Sequence, residues 1–343
     1  MSTPGPTRRL VLATGAGGAM AALAMVAGCS RASSAPLEPS DAISRRRGTG
    51  PADPDGAVRR TVAIGTMVLL ARYYATAARH PALGAELARP VADHRAHLFA
   101  LIGVGSGSGR ASRPGSSNGR SAESGIRVPA RPRAAIAALA GAESEAAGYR
   151  SELVGTASSA SFAALLAAIA ASQFTHGALL RAGDRELSVE PGPAGRPPDG
   201  LLDSFAVDAL QDALGAEHAA LFGYGSLGAW LTGGALVRAH QAYDAHRRRR
   251  DRLEQFIRRA GAQPQPAAAA YQLPFTVTSG QRARRLAAGI EDGVADAYGW
   301  LVTTAGRGSS LRIDAAGWLT EAALRAASWR RASRALPGLP DGR

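Results

Sequence analysis

The sequence predicts an all-α fold built from two successive four-helix halves. Three observations lead there. Hydrophobic residues make up 46% of the chain but aromatics only 5%, and alanine dominates, which favours helix and close helix packing. Long runs of β-branched residues are almost absent. Apolar residues recur at alternating steps of three and four, the period of a helix with one face turned to a core. The clearest case is Val207, Leu210, Leu214, Glu217, Leu221, Tyr224, Gly228 and Leu231.

Residues 1–28 read as an export signal. Arg8 and Arg9 form a basic start, an uncharged stretch follows, and Val26-Ala27-Gly28-Cys29 closes it. This resembles a bacterial lipoprotein signal, in which the cysteine receives lipid. Cys29 is the sole cysteine, which excludes an internal disulfide framework and a cysteine-rich zinc site. Thr7-Arg8-Arg9-Leu10 also resembles a twin-arginine signal, which implies export after folding. The Ser/Pro/Arg-rich residues 29–56 read as a disordered tether.

The first half spans 57–182. Helices are expected at 57–78, at 81–103 with a break near Pro90, at 134–157 and at 161–180. The apolar part of the fourth is read as too short to span a bilayer. Residues 104–133 are rich in Gly, Ser, Arg and Pro and read as a disordered insertion. A Pro/Gly linker at 183–202 leads to a second half at 203–336. Its helices are expected near 203–231, 235–260, 281–304 and 311–335. Trp300, Trp318 and Trp329 are expected to pack between helices.

The halves share a plan. Ala140-Gly141 and Glu143 match Ala288-Gly289 and Glu291, and Leu153-Val154 matches Leu301-Val302, all at the interval separating Glu143 from Glu291. Both halves have a short link between helices one and two and a long link between two and three. A four-helix bundle with one long crossover there has the ferritin-like topology. The segments QDALGAEHAALFGYG at 211–225, HRRRRD at 246–251, PAAAAYQLPF at 266–275 and LAAGIE at 286–291 carry a family resemblance. The chain resembles actinobacterial lipoproteins and secreted proteins with an uncharacterised ferritin-like domain. The resemblance implies a four-helix ferritin-like fold and no agreed activity.

The candidate site follows from carboxylates on core stripes. Di-iron bundles place a Glu on each of two helices and Glu-x-x-His on each of the other two. Glu217 and Glu291 can supply the first pair, and His246 lies on the stripe Ala239, Tyr243, His246, Arg250, Leu253. That helix has no Glu-x-x-His, and in the last helix Glu321 is followed by Leu324 where the motif needs histidine. Two readings result. Glu217, His246 and Glu291 hold iron or manganese, or they form a buried ion network with an inward Arg250 and Asp251, and no cofactor. In the first half His94, Glu143 and His176 stand on core stripes. Two histidines and one carboxylate can hold one metal, or simply hydrogen-bond. The position matching Glu217 falls near Met67 or Val68, so a di-iron site is not expected there.

The formal charge of +13 comes from arginine alone, since the chain has no lysine. The arginines are scattered and lack aromatic interleaving, so no nucleic-acid surface is expected. No nucleophile–base arrangement and no phosphate loop stands out. The expectation is a lipid-anchored protein at the outer face of the cytoplasmic membrane. Its bundle serves as a non-enzymatic binding or scaffold module, the alternative being a metal-dependent oxidase or metal store. The sequence names no protein partner.

Overall fold

The computed structural model describes residues 53–103, 125–183, 185–187, 189, 195 and 202–340. The export signal at 1–28, Cys29 and nearly all of the tether lie outside the described residues, as do residues 104–124 of the insertion. The described residues form eight α-helices and no strand. They are α1 (Gly56–Arg79), α2 (Gly84–Gly103), α3 (Pro132–Thr156), α4 (Ala160–Ala182), α5 (Ser204–Leu227), α6 (Gly233–Arg259), α7 (Gly280–Thr304) and α8 (Ser310–Arg330).

Local chemistry sets several helix starts. Ser159, Asp203, Ser279 and Ser309 each accept a hydrogen bond from the backbone N–H three residues on, satisfying a donor that the first helical turn leaves open. Asp55 precedes α1 but bonds elsewhere. Its two oxygens accept from the N–H groups of Ser158 and Ser159, both at 2.8 Å, which ties the start of α1 to the α3–α4 turn.

Two expectations about helix limits are corrected. Helix α2 is not broken at Pro90 but runs through it, after a separate 3₁₀ turn at Pro81–Leu83. Helix α8 stops at Arg330 rather than near 335, because Arg331 turns left-handed with φ 60°. The chain then crosses α7. Gly299 permits this, since a side chain there would collide with the Gly338 carbonyl.

Helices α4 and α8 form the centre of the molecule. Each packs against its sequential partner, α3 or α7, and α4 also packs on α7 and α8. Helix α4 is apolar all round and sixteen of its residues are buried, the pattern of a helix enclosed by others. By length and hydropathy α4 and α1 are long and apolar enough to cross a membrane, which corrects the expectation that α4 is too short. Yet 83% of the apolar window of α4 is buried inside the protein, so its hydrophobicity serves the core. One core runs through both halves, from Val62 and Phe162 to Leu286 and Trp318. Trp318 and Trp329 pack inside, whereas Trp300 is exposed, contrary to expectation.

Candidate functional site

Each half buries a cluster of ionisable side chains. In the second, α5 supplies Glu217 and Tyr224, α6 supplies His246 and Arg249, α7 supplies Glu291 and Tyr298, and α8 supplies Glu321, Arg325 and Trp329. Glu217, His246 and Glu291 do come together, each no more than 1% exposed. His246 bridges the two carboxylates, with Nδ1 2.7 Å from Glu217 Oε2 and Nε2 3.2 Å from Glu291 Oε1. The Tyr298 hydroxyl donates to Glu217 Oε1. The Tyr224 hydroxyl donates to Glu291 Oε1 at 2.7 Å and accepts from Trp329 Nε1 at 2.8 Å.

The expected role of Arg250 and Asp251 is corrected. Arg250 does not enter this cluster but pairs with its neighbour Asp251 at the surface. Its place is taken by Arg325, whose Nε lies 3.1 and 3.0 Å from the two oxygens of Glu291. Arg249 donates to both oxygens of Glu321 at 3.1 Å, and Glu321 also accepts from Arg325. The reason is the phase of α6. Its buried face runs Ala239, Ala242, His246, Leu253, Phe256 and Ile257, so the turn between His246 and Leu253 presents Arg249 inward. Tyr243, assigned to the inner stripe by sequence, is exposed.

Burial by itself would lower the His246 pKa, but the charges of Glu217 and Glu291 and hydrogen bonds to both raise it to about 9. Burial would raise Glu291, and the charges of Arg325 and His246 instead hold it at about 2. Burial and the neighbouring carboxylates push the Tyr224 and Tyr298 hydroxyls well above their usual range, so both stay protonated donors. Three carboxylates, Glu217, Glu291 and Glu321, thus face three cations, His246, Arg249 and Arg325. Every carboxylate oxygen already accepts from the protein.

This set does not fit a dinuclear metal centre. A dinuclear centre needs carboxylates left to balance two cations, and here Arg325 and Arg249 already balance Glu291 and Glu321. Arg325 brings a fixed positive charge to Glu291, where a cation would have to bind. On the outer side of Arg325 lies a cleft of 440 Å³ whose lining includes Glu186, Val237, Arg238, Arg248 and Trp329.

The first cluster is built around Glu143 of α3. Glu143 Oε1 accepts from the Tyr73 hydroxyl at 2.6 Å and lies 2.8 Å from His94 Nε2 and 3.1 Å from His176 Nδ1. His176 Nε2 faces Asp93 Oδ2 at 3.1 Å, and Asp93 also accepts from Ser333 at 2.5 Å. His97 Nε2 donates to the Ala335 carbonyl at 2.7 Å. The chain beyond α8 therefore closes over the first cluster. Burial would lower the His176 pKa, but Glu143 and Asp93 raise it to about 9. Burial, helped by His94 and His176, pushes His97 down to about 3, so it stays neutral and donates through Nε2. Glu143 sits well below the usual carboxylate range, because the His176 and His94 interactions outweigh its burial.

The two clusters share contacts. Tyr73 and His94 meet Glu143 as Tyr224 and His246 meet Glu291. Arg150 reaches Thr66 as Tyr298 reaches Glu217, so Thr66, not Met67 or Val68, stands in the place of Glu217. Sequence reasoning missed Arg325, Arg249 and the tyrosine donors. One signal was present: Arg325 lies one turn beyond Glu321 on the same helix face.

No curated protein matches the chain. Residues 209–341 match the family described as "Domain of unknown function (DUF4439)". A crystal structure titled as a conserved hypothetical protein, rv2844, from Mycobacterium tuberculosis is 37% identical, over 38% of this chain and 98% of that one, with a TM-score of 0.36. The match to the domain of unknown function DUF4439 thus falls within the second half of the chain, on α5 to α8 and the residues that follow them.

Proposed function

We propose that this chain is a lipid-anchored cell-envelope protein whose ferritin-like bundles act as a non-enzymatic binding or scaffold module. The observation that carries the reading is the closed state of the second cluster. Its carboxylates are neutralised by His246, Arg249 and Arg325, and its oxygens are occupied by protein donors. A carboxylate held at about 2, with the Arg325 Nε–H shared between its two oxygens, is a poor general base at neutral pH. The ferritin-like reading is supported by the order of links, short between α1 and α2 and between α5 and α6, long between α2 and α3 and between α6 and α7. The anchor is supported by Val26-Ala27-Gly28-Cys29. The 440 Å³ cleft beside Arg325, walled by Arg238, Arg248 and Trp329, is the surface this reading assigns to a bound partner.

Two experiments test the two parts. Cys29→Ala should move the protein from the membrane fraction to the soluble fraction; undiminished membrane retention would refute the anchor. Ferrous iron added aerobically to the chain should draw no oxygen uptake that depends on Glu291. Uptake that vanishes in Glu291→Gln would mark the second bundle as an oxidase.

A further inference from the structure

We propose that His94, His176 and Glu143 form a mononuclear binding site for a divalent d-block cation of the zinc or iron(II) type, with Asp93 orienting His176. The geometry is convergent. One ligand atom from each of the three residues lies within 4.8 Å of the other two, and all three residues are buried. His94 Nε2 and His176 Nδ1 stand 2.8 and 3.1 Å from the same oxygen of Glu143. Ligand atoms about 2.0–2.1 Å from a tetrahedral cation sit roughly 3.3 Å apart, so a shift of a few tenths of an ångström admits the ion.

Three further features favour a cation over a hydrogen-bonded network alone. Glu143 Oε2 is buried and makes no hydrogen bond, while Oε1 is crowded by three partners. A closed network distributes donors over both oxygens, as the second cluster does at Glu291. A carboxylate with one open oxygen can offer both to a metal, which with two imidazoles makes four donor atoms. The Nε2 of His176 meets Asp93, so that its Nδ1 points to the ion. This is the carboxylate–histidine support that metal-ligating histidines commonly have. And the hydrogen-bond partners of Glu143 are Tyr73, His94 and His176, with no guanidinium among them as Arg325 is for Glu291. The interval from Glu143 to Glu291 carries Arg325 back to Gly177 and Leu324 back to His176. Arg150, also buried, turns Nη1 and Nη2 to Ala146, Val62 and Thr66 and makes no hydrogen bond to Glu143.

The donor types set the class of ion. Two imidazoles with one carboxylate suit zinc, iron(II) or cobalt(II), whereas calcium and magnesium need mostly oxygen. The set is enclosed, so the ion is held as a structural or carried metal. Binding exchanges the cation for the protons that the histidines share with Glu143.

The test is cobalt titration of the chelator-treated full chain, followed by visible absorption. One Co²⁺ per chain is expected, with the strong d–d bands of a low-coordinate ion, displaced by Zn²⁺. Glu143→Gln and His176→Ala should abolish the bands, and Glu291→Gln should leave them. Asp93→Asn removes no ligand and should weaken affinity by about 10- to 100-fold. X-ray absorption of the zinc-loaded wild-type chain should show two imidazole shells, a readout that needs no variant to fold. Absence of stoichiometric cobalt in the folded wild type would overturn the proposal. So would a zinc shell without two imidazoles, bands that survive Glu143→Gln, an affinity unchanged by Asp93→Asn, or bands lost in a folded Glu291→Gln.

Discussion

In the first bundle Glu143 accepts from Tyr73 and meets His94; in the second Glu291 accepts from Tyr224 and meets His246. From that common start the two diverge. The second adds Arg325 to both oxygens of Glu291 and chains it through Glu321 to Arg249. The first adds His176 and Asp93 and leaves Glu143 Oε2 and His94 Nδ1 without partners. A buried carboxylate is costly unless something balances it. The difference shows two solutions on one scaffold, a built-in guanidinium in one bundle and an imidazole pair in the other. Which is used turns on one helical step, whether α4 or α8 presents histidine or arginine to the shared glutamate.

The largest expected effect breaks the second network. Arg325→Leu leaves Glu291 and Glu321 short of a buried cation and should cost about 3–5 kcal/mol in chemical denaturation. Arg150→Leu, the corresponding loss of a buried arginine in the first bundle, should cost only about 1–3 kcal/mol, since Arg150 bonds neutral oxygens. Equal losses would mean that the two bundles do not differ in the way described.

The pH dependence sharpens the same contrast. Glu217 and Glu291 raise His246 from its ordinary 6.5 to about 9, so its stabilisation is complete below 6.5 and is lost as pH rises through 9. Glu291, at about 2 against 4.5, contributes fully above 4.5 and loses that contribution as pH falls through 2. The denaturation midpoint should therefore fall between pH 6.5 and 9, and His246→Gln should flatten that fall. An alkaline slope unchanged in His246→Gln would place its origin elsewhere.

The smallest effect concerns the tyrosine donors. Tyr224→Phe removes a hydrogen bond to Glu291 and orphans the Trp329 N–H, for about 1–3 kcal/mol. Tyr73→Phe should cost about 1 kcal/mol, because His94 and His176 still serve Glu143 Oε1. A melt in which Tyr73→Phe costs more than Tyr224→Phe would reverse the expected order.

Much of the fold was legible because α-helical period and Ala-rich composition are local signals. All eight helices stand where periodicity places them, within a few residues. The departures have tertiary causes. Pro90 sits early in α2, where packing around Leu87 and His94 holds the helix through it. Helix α8 ends early because Ser333 and Ala335 are needed at Asp93 and His97 of the other bundle. Of the site, Glu217, His246 and Glu291 could be read from their stripes. Arg249 could not be separated from Arg250, since a step of three or of four from His246 both lead on to Leu253. Only the packed face of α6 decides. Arg325 was hidden by the expectation of histidine at Leu324, one residue before it.

Anomalous X-ray diffraction at the zinc edge, from crystals of the zinc-loaded chain, tests the contrast between the bundles most directly. One peak is predicted among His94, His176 and Glu143, with none between Glu217 and Glu291. A peak beside His246, or none in the first cluster, would contradict it.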